Sequence, residues 1–140
     1  MQRVLRSNTE KRRGSAAVEF AIVAPIFLLF IFAMIEFGRM MMVQQIIVQT
    51  ARDGARHAII NGSTVETTRD LVEQQLTDST ITVQRDAITV DPNPATAAAG
   101  DQITVTVTIP FGDVTWLPGG SLLNRVDLQA STTMRRETAQ

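Results

Sequence analysis

Apolar residues run unbroken from Phe20 to Ile35, then thin out to one face of a helical repeat, and beyond residue 80 they alternate with polar ones. These three patterns predict three kinds of element. Counted from Ser15, the first run holds 21 residues, with Glu19 as its only charge. At the rise of an α-helix that is ~31 Å, the thickness of a bilayer hydrocarbon core. After Ile35 no breaker intervenes, and Val43, Ile47, Ala51, Gly54 and Ala58 recur at spacings of 4, 4, 3 and 4, while Gln45, Gln49, Arg52 and Arg56 mark another face. The spacing predicts one helix over about Ser15 to Ile60, half within a membrane and half amphipathic. Asn61-Gly62 stops it. Ser63-Thr64-Val65-Glu66 reads as a capping box that opens a second helix to about Thr77, with Val65, Val72 and Leu76 on one side.

Period-two alternation then predicts strands. Ile103, Val105, Val107 and Ile109 form the clearest, Val126, Leu128 and Ala130 a second, and Ile81 with Val83 and Ile88 with Val90 two shorter ones around Arg85-Asp86. Asp91 to Gly100 and Pro118-Gly119-Gly120 read as loops. The expected fold class is α+β. A long N-terminal helix packs its outer half against a small antiparallel sheet, with a short second helix. The stretch past Asn61 is small for a core of its own, so the apolar stripe of the long helix is expected to complete it.

Charge sharpens the division into segments. Up to Gly14 there are five basic residues (Arg3, Arg6, Lys11, Arg12, Arg13) against one acid, and beyond it eight against thirteen, a net −5. A basic flank before an apolar span predicts that the N-terminal side stays in the cytoplasm and the rest faces outward. The division is a leader over 1–14, a membrane span over 15–35, an amphipathic continuation over 36–60 and an exported head over 61–140. An acidic outer part is the reverse of a nucleic-acid footprint, and no nucleic-acid partner is expected. With no cysteine there is no disulfide framework, thiolate metal site or cysteine nucleophile. No metal or other cofactor is expected, and His57, the single histidine, reads as a helix-surface residue. With no phosphate loop and no paired catalytic acids, the chain reads as a non-enzyme.

Glu19 is the residue that asks for an explanation. A carboxylate near the hydrocarbon edge costs about 2–3 kcal/mol on insertion scales and usually has a partner. Cutting the chain after Gly14 would create one, because the new α-amino group of Ser15 is a cation one helical turn away or on a neighbouring subunit.

The segment Gly14-Ser15-Ala16-Ala17-Val18-Glu19-Phe20 resembles the G/xxxxEF processing signal of prepilins in the Flp (Tad) branch of type IV-like filament systems. Ile35-Glu36-Phe37-Gly38-Arg39 and Ala51-Arg52-Asp53-Gly54-Ala55-Arg56 are similar to the IEFGR and AREGAR segments of TadE-like pseudopilins, with Asp53 in place of a frequent glutamate. The resemblance covers residues 12 to 60. Past Asn61 only the strand pattern and the closing Met134-Arg135-Arg136-Glu137 are similar. It implies that a prepilin peptidase cuts after Gly14, and that Glu19 then neutralises the Ser15 amine of another subunit. It also implies a pilin architecture, with other pilins or pseudopilins, the Tad inner-membrane assembly machinery and the lipid bilayer as partners, in a homo- or hetero-oligomer.

Other readings stay beside this one. An uncleaved bitopic envelope protein with a partner-binding outer domain fits the same topology. A cleavable secretory signal fits less well, because the apolar run exceeds an ordinary h-region and Ala33 to Phe37 offers no small-x-small site. A twin-arginine signal at Arg12-Arg13 lacks the intervening pattern, and a membrane-tethered hydrolase rests on scattered Ser and Asp residues with one histidine. Pro25 is either a kink or a tolerated membrane proline. Met40, Met41 and Met42 read as interfacial or core packing residues, with an adaptable contact surface as the alternative, and Ala51, Gly54, Ala55 and Ala58 as a face for close approach within the molecule, with a helix-helix contact between subunits as the alternative. Trp116, beside Phe111, Val114 and Leu117, is read as core, with an interfacial anchor as the alternative.

Overall fold

A computed structural model describes residues 9–115 and 126–136, with side chains from Gly14 onward. Trp116, Leu117, the Pro118-Gly119-Gly120 loop and Glu137 lie outside the described residues. The fold is α+β: helix α1 (Thr9–Ala58), helix α2 (Val65–Asp78), and strands β1 (Ile88–Asp91), β2 (Gln102–Pro110) and β3 (Asp127–Arg135). The strands form one antiparallel sheet in the order β1-β2-β3. Short 3-10 turns at Arg85–Ala87 and Phe111–Asp113 lead into β1 and out of β2. The chain divides between Phe37 and Gly38 into two compact units.

The first unit carries the apolar half of α1. Its large side chains point outward on every side, with Phe20 73% and Leu29 68% exposed. A helix apolar all round is built for an apolar surrounding. Among the described residues α1 is the one helix long and apolar enough to cross a membrane. Pro25 lies within it without ending it. The helix starts at Thr9, six positions before the expected Ser15.

In the second unit the rest of α1 lays its predicted stripe on the sheet and on α2. Val43, Ile47 and Ala51 join Val72 and Leu76 of α2, Ile81, and the inward residues of the sheet around Val107, Ile109 and Leu128. Farther along, Ala55 and Ala58 pack on Val90, Ile103 and Val105. Strand β2 runs exposed, buried, half-buried, buried along its length, as its alternation requires, and pairs Ile103 with Met134 and Val107 with Ala130. Its other face is a row of hydroxyls in which Thr104 meets Thr133 at 2.8 Å and Thr106 meets Ser131 at 2.9 Å. Phe111 and Val114 are buried in the core. Met40 packs against the core edge, whereas Met41 and Met42 are exposed.

Three local expectations are corrected. The cap of α2 is Thr64, whose hydroxyl accepts from Thr67 N at 3.1 Å while Thr64 N donates to Thr67 Oγ1 at 3.0 Å. The box is thus shifted by one residue, because Ser63 Oγ donates instead to His57 O at 2.6 Å. Glu66, freed from capping, joins Asp70 and Glu73 around the Arg85 guanidinium. Second, Ile81 and Val83 form no strand. Ile81 N donates to Leu76 O at 2.9 Å and Thr80 N to Thr77 O at 2.8 Å, the Schellman closure of α2, with Thr80 at φ 63°. Ile81 then packs beside Leu76 in the core. Third, His57 is not a plain surface residue, since it is half-buried with Nδ1 3.2 Å from the fully buried Thr68 Oγ1.

Candidate functional site

Gly14 lies inside α1, and a Cβ there would meet nothing within 4 Å beyond the adjoining residues and the helix's own backbone. One residue on, Ser15 Oγ donates to Glu19 Oε1 at 3.4 Å, a long bond across one helical turn. Both residues are exposed, as is Phe20. This arrangement puts a hydroxyl, a carboxylate and the bond after Gly14 on one helix surface. The i,i+4 geometry also brings the Ser15 nitrogen to the same end of the turn that Glu19 overlooks. Lys11, Arg12 and Arg13 have helical backbones, but their side chains, with Arg3 and Arg6, lie outside the described residues.

The second motif splits in two. Glu36 is buried and Phe37 and Gly38 are exposed. Arg39, half-buried, donates from Nε to Val114 O at 3.1 Å, tying α1 to the turn after β2.

The third motif, Ala51 to Arg56, is mostly architecture. Ala51, Gly54 and Ala55 are buried, and a Cβ on Gly54 would stand 2.7 Å from Val72 Cγ2 and 3.3 Å from Val105 Cγ1. Glycine is therefore what lets α1 touch α2 and β2 at once. Asp53 is half-buried and accepts from Gln75 Nε2 at 3.5 Å, whereas Arg52 and Arg56 are exposed.

Two residues have anchoring roles that the sequence did not show, although Arg136 lies in the closing Met134-Arg135-Arg136-Glu137. Arg136 donates to the carbonyls of Pro94 and Ala97 and to Asn61 Oδ1, so one guanidinium holds the long loop and the end of α1. Gln75 bridges α2 to Asp53. No local pattern could have identified what they hold, since their partners are 22 to 75 residues away in the chain. Among the described residues no three His, Cys, Asp or Glu side chains are placed to hold a metal ion.

Residues 14–56 match the TadE family model, described as TadE-like protein. The match takes in the processing-like segment, the apolar run and all of the third motif, and covers under a third of the chain. Comparison with curated proteins and with solved structures gives no match.

Proposed function

From the match of residues 14–56 to the TadE-like family model, we propose a pilus-associated protein, a minor pilin or pseudopilin that contributes to assembly of a Tad (Flp) type pilus. A prepilin peptidase cuts it after Gly14. The apolar half of α1 stores the subunit in the inner membrane, and Glu19 pairs with a neighbour's Ser15 amine as the subunit joins other pilins or pseudopilins and the assembly machinery. The supporting observation is Glu19 itself: the only charge between Ser15 and Ile35, on an exposed helix surface, one turn from Ser15. The role is structural and routes no chemistry through the head.

One observation favours the second reading, an uncleaved bitopic envelope protein with a partner-binding outer domain. The Gly14–Ser15 bond lies within α1, so a peptidase must unwind a turn to reach it. Glycine lowers that barrier, since it weakens a helix interior by roughly 0.5–1 kcal/mol relative to alanine. The deciding measurement is the N-terminal sequence of protein recovered from membranes. Ser15 as first residue supports the pilin reading, and Gly14→Val is expected to leave the leader uncut. A shortened species that persists in Gly14→Val would place the cut elsewhere.

A further inference from the structure

Packing accounts for the small residues of the Ala51–Arg56 motif but leaves its two arginines without a task. Arg52 and Arg56 are exposed, and neither makes a hydrogen bond or ion pair among the described residues. The other described arginines of the head differ. Arg39 and Arg69 hold the carbonyls of Val114 and Ile88, Arg85 holds three carboxylates, and Arg135 and Arg136 hold the loop at Pro94 to Gly100.

The same unit has a groove with the opposite need. It lies between α1 and α2, encloses about 420 Å³, and is lined by Gln45, Gln49 and Asp53 on one side and Gln75, Asp78 and Ser79 on the other. Among the described residues two carboxylates line it and no cation does. Gln75 Oε1 is buried without a hydrogen-bond partner. The groove also opens at the C-terminal end of α2, where carbonyls concentrate partial negative charge and the last turn holds no basic residue. The two carboxylates accept, and a guanidinium only donates, through five N–H groups.

We propose that this groove receives Arg52 and Arg56 of a second copy of the chain. The i,i+4 spacing puts both guanidinium groups on one side of the helix, suited to reach Asp53 and Asp78 of the neighbour together. Donor face and acceptor groove are different patches, so the contact is heterologous. A copy bound through its arginines still offers its own groove, so the contact continues from copy to copy, as a ring or an open series, rather than closing as a two-fold pair. The inference rests on the pilin reading only in placing copies side by side in one membrane.

The chain has no cysteine, which makes disulfide trapping clean. Two differently tagged full-length copies are produced together in membranes, one carrying Arg56→Cys with Arg52 intact, the other Asp78→Cys with Asp53 intact. Mild oxidation is expected to give a mixed disulfide between them. Adding Arg52→Glu to the first copy is expected to lower its yield by about tenfold or more, since like charges then meet. Adding Asp86→Lys, an exposed position outside the groove, is expected to leave it unchanged. The proposal is overturned if the yield is indifferent to Arg52→Glu. It is also overturned if no mixed disulfide forms above that of an Arg56→Cys and Asp86→Cys pair while all variants accumulate and resist protease like the parent. A Ser15 N-terminus in the same membranes would leave the pilin reading intact under either failure.

Discussion

At Gly54 the absence of a side chain decides how closely three elements meet. Two terms oppose each other when a side chain is added. Alanine favours the helix interior by about 1 kcal/mol over glycine, while its Cβ would collide with Val72 Cγ2 at 2.7 Å, and forcing extra carbon into a packed core costs about 1–3 kcal/mol. Gly54→Ala is therefore expected to be near neutral to mildly destabilising. Gly54→Val gains roughly a few tenths of a kcal/mol of propensity and is expected to lose about 2–3 kcal/mol, read as a lower urea midpoint by circular dichroism in detergent; an unchanged midpoint would mean that α1 does not rest on Val72. The sequence showed that Gly54 belongs to a small-residue face, because Ala51, Ala55 and Ala58 share its helical spacing. Which residues press against that face was not legible, since Val72 and Val105 are brought there only by the tertiary fold.

Elements were legible wherever periodicity was long. The stripe from Val43 to Ala58 and the alternation from Ile103 to Ile109 each repeat often enough to fix both type and buried face. The ends were not, because hydrogen bonds among a few polar atoms choose between neighbouring registers: Ser63 turned to His57 O, so Thr64 became the cap. The short Ile81–Val83 pattern failed for a related reason, since the Ile81 N–H closes α2 and is lost to any ladder. That closure has a cost at Thr80, a β-branched residue at φ 63°. A left-handed backbone costs such a residue roughly 1–2 kcal/mol, and the extra freedom of glycine in the unfolded chain returns part of this, about 0.5–1 kcal/mol. Thr80→Gly is accordingly expected to stabilise the head by about 0.5–1 kcal/mol, measured as a raised urea midpoint. A lower midpoint would show that Thr80 is not held left-handed.

At the scale of the whole molecule the charge distribution and Glu19, the single carboxylate between Ser15 and Ile35, bear on topology and assembly. Five basic residues before the apolar run favour the proposed topology with the head outward, so a reporter fused after Gln140 is expected to be active only outside the cytoplasm. Cytoplasmic activity would reverse the topology and remove the pilus reading with it. Glu19 then separates assembly from insertion. Glu19→Gln keeps the size of the side chain and an acceptor for Ser15 Oγ, and it takes a charge out of the apolar segment, so membrane insertion is expected to be unchanged or easier. Leader cleavage is expected to continue, because Gly14 and Ser15 are untouched. Under the proposed pairing the variant would lack a counter-ion for the Ser15 amine of a neighbour, and removing one partner of a buried pair costs about 3–5 kcal/mol. Processed protein should therefore accumulate in the membrane while pili, or crosslinked pseudopilin complexes, fall to a small fraction of the parent level. The contact within one chain, Ser15 Oγ to Glu19 Oε1 at 3.4 Å, is long enough that its loss alone would not do this. Parent levels of assembly in Glu19→Gln would mean that the carboxylate serves its own helix and not the neighbour.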